Sequence, residues 1–136
     1  MTTDTLPIAT HANINFVTAK LAVGGDLSQD AELFAKQIAE LEHLGITHVV
    51  DCRLEWSDEA LVTEHLSHVA YLHHGIDDAG QDVPGEWFDE AITFIDEDAV
   101  VLTHCHMGIN RGPSLGFAVL LHEGWEPHNP PISMYL

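Results

Sequence analysis

The sequence predicts an α/β fold in which a central, mainly parallel sheet is flanked by helices. Short apolar runs, typical of buried strands, occur at 46–50, 69–73 and 99–103. Segments with apolar residues at helical spacing lie between and after these runs. Strands and helices therefore alternate along the chain, which is the pattern of a parallel sheet with crossover helices.

The amino-terminal part is predicted to form two strands and a helix. After a loose lead-in at 1–12, partial alternation over 14–23 indicates a β-hairpin or two short strands. Asp26, with Gln29 three residues later, resembles a capping box at the start of the first helix. Apolar residues then recur at helical spacing until Gly45 ends the run.

Three further helices are predicted. Ser57 can cap a short acidic helix at 58–65, and an apolar helix starts at Pro113. Pro84 opens the helix between them, whose inward stripe consists of Trp87, Phe88, Ala91, Phe94 and Ile95. The proline-rich stretch 125–136 is interpreted as irregular chain. Residues 1–136 are expected to form a single domain.

The charge balance excludes some classes of partner. Only 4 Lys and Arg residues oppose 22 Asp and Glu residues, which gives a formal net charge of −18 at pH 7. Binding to nucleic acids or to anionic membranes relies on Lys and Arg patches, so neither partner is expected. Oligomeric state is left open. The sequence shows no secretory leader, no membrane-length apolar run and only two cysteines, which favours a cytoplasmic location with reduced thiols.

A loop suited to phosphate binding lies between Cys105 and Arg111. Cys105 follows the predicted strand at 99–103, and Arg111 comes six positions later, just before the apolar helix. Backbone N–H groups can converge there on one oxyanion, from His106, Met107, Gly108, Ile109, Asn110 and Arg111. The Arg111 guanidinium matches two phosphate oxygens, and the positive end of the helix favours the nucleophilic thiolate of Cys105.

Nucleophilic attack on a phosphoester also needs an acid that protonates the leaving group and later activates water. Asp77 and Asp78 lie after the predicted strand at 69–73. The chain between Asp78 and Cys105 is long enough for one crossover helix and one strand, which places both loops at the same carboxyl edge of a parallel sheet.

The motif His104-Cys105-x5-Arg111 after a buried strand resembles the signature of the cysteine-dependent protein tyrosine phosphatase superfamily, and the small size is similar to its dual-specificity branch. The resemblance implies that Cys105 is the nucleophile and that Arg111 binds phosphate and stabilises the transition state. It implies that Asp78, rather than Asp77, is the general acid, and that His104 orders the loop. The implied activity is hydrolysis of phosphorylated proteins or small phosphoesters through a cysteinyl-phosphate, with no metal or other cofactor.

Departures from the family pattern keep other functions open. Gly112 follows Arg111 where the family usually has a Ser or Thr that helps the thiolate leave, and Ser114 is the next hydroxyl. The family also continues with further helices where this chain has its proline-rich stretch. One alternative is a non-catalytic module that binds phosphate or phosphoproteins with the same loop. Another is an RNA 5′-triphosphatase, suggested by the Asn110-Arg111 pair and disfavoured by the acidic charge.

A metal hydrolase is a third alternative. Several potential ligands could gather at the carboxyl edge of the sheet, namely His73, His74, Asp77, Asp78, His104 and His106. No HExxH-type spacing is present, and a histidine at a strand end is more often a hydrogen-bonded structural residue. No metal site is therefore predicted.

Two residues at the end of the strand at 46–50 complete the candidates. Cys52 lies at the same predicted sheet edge as Cys105, and some phosphatases of the superfamily form a reversible disulfide with a cysteine at a similar place. Cys52 is therefore either a redox partner of Cys105 or a small buried hydrophobic residue. Arg53 is expected to pair with nearby carboxylates such as Glu55 or Asp58.

Overall fold

A computed structural model describes residues 6–77, 83–107 and 111–126. Its sheet consists of β1 (Ile14–Thr18), β2 (Leu21–Gly24), β3 (His48–Arg53), β4 (Ala70–Ile76) and β5 (Val101–His104). The spatial order is β1-β2-β5-β3-β4, with β1 antiparallel to β2 and every other neighbouring pair parallel. The predicted α/β fold with a mainly parallel sheet is confirmed.

Four helices cover the sheet, namely α1 (Ala31–His43), α2 (Glu59–His65), α3 (Gly85–Phe94) and α4 (Arg111–His122). One apolar cluster joins the sheet to α1 and α2 through Ile38, Leu41 and Val62. A second cluster joins it to α3 and α4 through Ala91 and Leu115. Within the described ranges, no helix combines the length and the apolar character needed to cross a bilayer.

The register brings three strand ends together. In β5, His104 is paired with Gly24 of β2 on one side and with Asp51 of β3 on the other. Because β5 lies between these two parallel strands, Cys105, which directly follows His104, emerges at the middle of the carboxyl edge. Loops from several strands meet at such an edge, where open parallel sheets bind their ligands.

Several predicted boundaries are wrong, and the largest errors concern the two strands nearest the site. β3 continues through Arg53 and β4 through Ile76, beyond the predicted ends at residues 50 and 73. Gly75, predicted in a loop, lies inside β4 at a close approach to β3, where an added Cβ would stand 2.7 Å from the carbonyl oxygen of Arg53. The close approach explains the glycine without a turn.

The helix starts also differ from the prediction. The N-cap of α1 is Asp30, whose Oδ2 accepts the backbone N–H of Leu33 at 3.0 Å, and not Asp26. Asp58 occupies the N-cap position of α2, although Ser57 Oγ accepts the N–H of Glu59 at 3.1 Å. α4 begins at Arg111, two residues before Pro113, because a proline is tolerated within the first helical turn.

Candidate phosphate-binding site

Cys105 and Arg111 both lie at the carboxyl edge of the sheet. Cys105 directly follows β5, is only 2% exposed, and donates its backbone N–H to the carbonyl oxygen of Gly24 at 3.1 Å. Arg111 is the first residue of α4 and is also buried. The connection between them contains Gly108, Ile109 and Asn110, which lie outside the described residues, so the convergence of their N–H groups stays a prediction.

The guanidinium of Arg111 is fixed by an acid from another loop. Its Nη1 donates to Glu55 Oε1 at 2.7 Å and to the carbonyl oxygen of Ile76 at 3.0 Å, and its Nη2 donates to Glu55 Oε2 at 3.2 Å. This two-point geometry is the usual strong pairing of arginine with a carboxylate. The hydrogen bonds from Arg111 lower the pKa of Glu55 to about 2. Glu55 therefore stays ionised at neutral pH and orients the guanidinium at the loops that follow β3 and β4.

His104 precedes Cys105 and is buried beside Asp51. Its Nε2 lies 3.8 Å from Asp51 Oδ1, and its Nδ1 has no hydrogen-bond partner within the described part of the chain. Burial lowers the pKa of His104 despite the nearby Asp51 carboxylate, which favours the neutral imidazole at neutral pH. The role of His104 in ordering the loop stays a prediction.

Arg53 forms the centre of a buried ion-pair cluster beneath the site. The fully buried guanidinium contacts Asp51 through Nε and Nη2, each at 2.7 Å, Asp58 through Nη2 at 3.0 Å and Asp26 through Nη1 at 2.9 Å. Burial opposes ionisation of Asp51, yet the Arg53 hydrogen bonds keep its pKa below the ordinary range. The cluster stabilises an arginine that would otherwise be buried without its counter-charges.

The predicted partners of Arg53 are only partly correct. Pairing with Asp58 is confirmed, whereas pairing with Glu55 is wrong because that carboxylate binds Arg111. Arg53 belongs to the buried end of β3, while Glu55 lies beyond the strand in the exposed connection to α2. Sequence reasoning misses Asp26 and Asp51 as partners in this cluster; the sequence signal nearest to them is the charged end of the strand at residues 51 to 53.

Asp26 links this cluster to the residues that directly follow Cys105. One of its carboxylate oxygens contacts Arg53, and the other is hydrogen-bonded to Nδ1 of His106. Its backbone N–H donates to the carbonyl oxygen of His106 at 2.9 Å. An added Cβ at the preceding Gly25 would lie 3.0 Å from that same oxygen and from the carbonyl carbon of Met107. The β2–α1 connection therefore packs directly against the start of the loop.

The other predicted site residues have different outcomes. Asp77 is described and exposed at the end of β4, whereas Asp78 lies outside the described residues, so the choice of general acid stays a prediction. Ser114 is exposed on the first turn of α4. Gly112 packs tightly against the end of β5, since an added Cβ would lie 3.1 Å from the carbonyl oxygen of Thr103.

The described histidines do not gather into one metal-binding group. His73 Nε2 contacts the carbonyl oxygen of Arg53, and His74 Nε2 lies 2.7 Å from that of Trp87. A set within the described ranges that could hold a cation is formed by Asp51, Asp58 and His104, whose ligand atoms lie within 4.8 Å of one another. The Arg53 guanidinium already supplies the positive charge between its two carboxylates.

Cys52 is fully buried in β3 and belongs to the same apolar cluster as Cys105. Both thiols are free. Burial, together with the nearby Cys105, raises the pKa of Cys52 and keeps it protonated. Cys52 therefore has the chemistry of a buried thiol, and its redox pairing with Cys105 stays a prediction.

The chain has the fold of the cysteine-dependent protein tyrosine phosphatase superfamily. The DUF442 protein of Shewanella putrefaciens CN-32 is 19% identical with a TM-score of 0.69, over 91% of this chain and 80% of that one. Tk-PTP in its active form is 20% identical with a TM-score of 0.68, over 90% of this chain and 82% of that one. TpbA of P. aeruginosa is 18% identical with a TM-score of 0.65, over 89% of this chain and 71% of that one. No protein-family model matches the chain, and no curated protein sequence does.

Proposed function

We propose that this protein is a phosphatase that hydrolyses phosphomonoesters of proteins or small molecules through a cysteinyl-phosphate intermediate. The observation that carries the proposal is the placement of Cys105 after the central parallel strand together with Arg111 at the start of α4, its guanidinium oriented by Glu55. This arrangement supplies a nucleophile and a phosphate ligand at one sheet edge.

The proposed reaction has two steps. The Cys105 thiolate attacks phosphorus in line with the leaving oxygen, which takes a proton from Asp78, while Arg111 and the loop N–H groups stabilise the equatorial oxygens. Asp78, now ionised, then removes a proton from water, whose oxygen attacks phosphorus and displaces the thiolate as inorganic phosphate leaves. Each step is completed by side chains of this protein.

Phosphorylated protein side chains are the preferred substrate class. TpbA of P. aeruginosa has been crystallised in complex with pTyr, which supports a phosphoaryl substrate for a chain with the same fold. The formal net charge of −18 disfavours polyanionic substrates such as RNA, because their remaining phosphates would meet a surface of like charge. Dual specificity is part of the proposal.

A second candidate, phosphate binding without turnover, is favoured by Gly112. A hydroxyl after the arginine would assist departure of the thiolate, and here the position has no side chain and lies close to Thr103. In that case Arg111 and the loop amides would bind a phosphorylated partner, and the intermediate would not be hydrolysed.

Hydrolysis of an aryl phosphate between pH 4 and 8 in the presence of a chelator tests both candidates. We expect turnover by the wild type, its loss in Cys105→Ser, and a fall of about 100-fold in Asp78→Ala that grows as the leaving group becomes more basic. Asp77→Ala is the matched control and should keep most of the activity. A fall in that variant instead would assign the acid to Asp77, and an inactive wild type that still binds vanadate would establish the binding module.

A further inference from the structure

A cavity of about 460 Å³ opens beside the candidate site, between α1, α2 and the loops that follow β2 and β3. Six of its lining residues matter here: Leu27, Phe34, Trp56, Asp58, Leu61 and His65. The walls are mostly apolar, with Phe34 and His65 in edge-to-face contact at 5.9 Å between ring centroids. Trp56 and Leu61 are 39% and 50% exposed, so the cavity is open to solvent.

The cavity adjoins the phosphate site through the chain itself. Leu27 follows Asp26, whose carboxylate contacts His106, and Trp56 follows Glu55, whose carboxylate binds Arg111. Consecutive Cα atoms are about 3.8 Å apart, and an extended peptide advances about 3.3 to 3.6 Å per residue. Because the cavity wall begins one residue beyond Asp26 and Glu55, a peptide bound with its phosphate at Arg111 would place a residue a few positions away at the cavity.

The charges of the Arg53 cluster, to which Asp58 in the cavity wall belongs, are unbalanced toward the negative. Asp58 Oδ1 contacts Arg53 Nη2 and accepts the hydroxyl of Tyr71. Asp58 is 97% buried, since only 3% of it is exposed, and its Oδ2 has no hydrogen-bond partner in the described part of the chain. Three carboxylates, those of Asp26, Asp51 and Asp58, surround the single guanidinium of Arg53. Burial lowers the pKa of the neighbouring His104, so this imidazole adds no compensating charge at neutral pH.

Apolar and aromatic walls beside a buried carboxylate with one unpartnered oxygen suit a particular ligand. A cation on an apolar stem buries the stem against such walls and gains from both the aromatic faces and the negative charge. The Trp56 ring already lies 4.4 Å from the guanidinium carbon of Arg53, which shows this kind of contact within the chain. An acidic side chain would be repelled, and a purely apolar one would leave Asp58 Oδ2 without a hydrogen-bond partner.

We infer that this cavity is a specificity subsite that receives a Lys or Arg side chain of a phosphorylated protein, a few residues from the phosphorylated position. The inference rests on the proposed function for the identity of the substrate. It uses cavity walls such as Leu61 that take no part in the phosphate chemistry, so it can be tested apart from turnover.

The test compares phosphotyrosyl peptides that differ at one position, scanned from two to four residues on either side of the phosphotyrosine. Arg, Lys, norleucine and Glu are placed there in turn. At the position that reaches the cavity, we expect kcat/KM for the Arg and Lys peptides to exceed that for norleucine about tenfold, and Glu to be the poorest. Equal values for Arg and norleucine at every position, or a preference for norleucine, would overturn the inference.

Two matched variants place the effect at the cavity. Leu61→Lys puts a tethered cation at the cavity and should abolish the preference for Arg while hydrolysis of an aryl phosphate is unchanged. Leu121→Lys adds the same charge to an exposed position near the far end of α4 and should keep the preference. A preference that survives in Leu61→Lys contradicts the assignment.

Failure of the proposed function gives a different result from failure of the subsite. An inactive wild type toward aryl phosphate refutes turnover alone. The same phosphotyrosyl peptides, now carrying a fluorescent label, are then compared by fluorescence anisotropy. A lower dissociation constant for the Arg peptide than for the norleucine peptide supports the subsite, and equal dissociation constants overturn it.

Discussion

The carboxylate of Glu55 binds Arg111 at two points, at 2.7 Å from Nη1 and 3.2 Å from Nη2. The two residues are 56 positions apart in the chain, one in the loop after β3 and the other at the start of α4. Their pairing holds the guanidinium in one orientation, and in the proposed reaction this would reduce the ordering cost of the transition state.

Replacing Glu55 with Gln is expected to lower kcat/KM for an aryl phosphate about tenfold. Gln removes the charge that assists both hydrogen bonds, so Arg111 samples other rotamers. Steady-state kinetics measure the change, and Glu59→Gln, an exposed substitution in α2, is the control. Because Glu55 titrates at about 2, the wild type and Glu55→Gln should share the same acid limb between pH 4 and 8. An acid limb that disappears in the variant would contradict this assignment.

Asp51→Asn should destabilise the fold by about 3 to 5 kcal/mol, because it leaves Arg53 buried with one strong partner fewer. Urea unfolding at pH 7 measures the free energy of unfolding. Asp98→Asn, an exposed isosteric change before β5, should alter it by less than about 0.5 kcal/mol. A variant as stable as the wild type would show that the cluster contributes nothing net.

Gly25→Ala should reduce turnover more than stability. The added methyl group would stand 2.8 Å from Asn13 Nδ2 and 3.0 Å from the carbonyl oxygen of His106, so the start of the loop must move. We expect kcat/KM to fall at least tenfold, by the sensitivity of catalysis to small displacements. Gly85→Ala, whose Cβ would meet nothing within 4 Å, is the control and should retain full activity.

The fold class and the placement of Cys105 and Arg111 at one sheet edge could be predicted from the sequence because both depend on local patterns. Apolar runs reveal strands, and the spacing of Cys105 and Arg111 is fixed by one loop. The sequence predicts a helix cap for Asp26 instead, because its partners Arg53 and His106 lie 27 and 80 residues away. Neither contact leaves a signal in the neighbouring residues, and a cap was the only role that local sequence offered.

The same limit applies to the extended strands. β4 continues through Gly75 because its backbone approaches Arg53 closely, whereas a glycine in isolation indicates a turn. The pairing of Glu55 with Arg111 joins the loop after β3 to the start of α4, 56 positions along the chain, so no local sequence pattern predicts it. Contacts at the carboxyl edge of the sheet join residues that are far apart in sequence, and only the three-dimensional structure reveals them.

Asp51 and His104 are paired on the adjacent parallel strands β3 and β5. Cys52 directly follows Asp51, and Cys105 directly follows His104, so the two cysteines occupy equivalent positions along neighbouring strands. With peroxide, we expect the Cys105 sulfur to be oxidised to a sulfenic acid, which the Cys52 thiol then attacks to give a disulfide and water. Intact mass falls by two hydrogens, and peptide mapping identifies the link. Cys52→Ala should instead proceed to the sulfinic acid. Overoxidation of the wild type without any link would make Cys52 a packing residue only.

Glu40 should contribute stability that depends on pH. Its carboxylate accepts the backbone N–H groups of Thr10, His11 and Ala12 at 2.7, 3.0 and 2.8 Å. Partial burial opposes ionisation, but these hydrogen bonds, led by that from Ala12, lower the pKa to about 2 from an ordinary value of 4.5. The stabilisation is therefore complete above pH 4.5 and is lost as the pH falls toward 2.

Glu40→Gln measures this contribution. At pH 7 the free energy of unfolding should fall by about 1 kcal/mol, a modest value because solvent screens the partly exposed carboxylate. The difference between wild type and variant should narrow as the pH is lowered to 3. Glu42→Gln, exposed on the same helix, should unfold like the wild type at every pH. A constant difference across the range would assign the effect to packing.

Arg53 and Arg111 are both buried in ion pairs, and they are two of the four basic residues in the chain. Only Lys20 and Lys36 remain to offset the acidic side chains on the outer surface. Diffusional encounter with an anion is then opposed at long range, and under the proposed function the loop would attract an anion only over the last few ångströms of its approach. Added salt should increase the association rate of anionic substrates and decrease that of cationic ones, because it screens the negative surface. The sign of the ionic-strength effect on the association rate therefore reports the net charge of the substrate that binds.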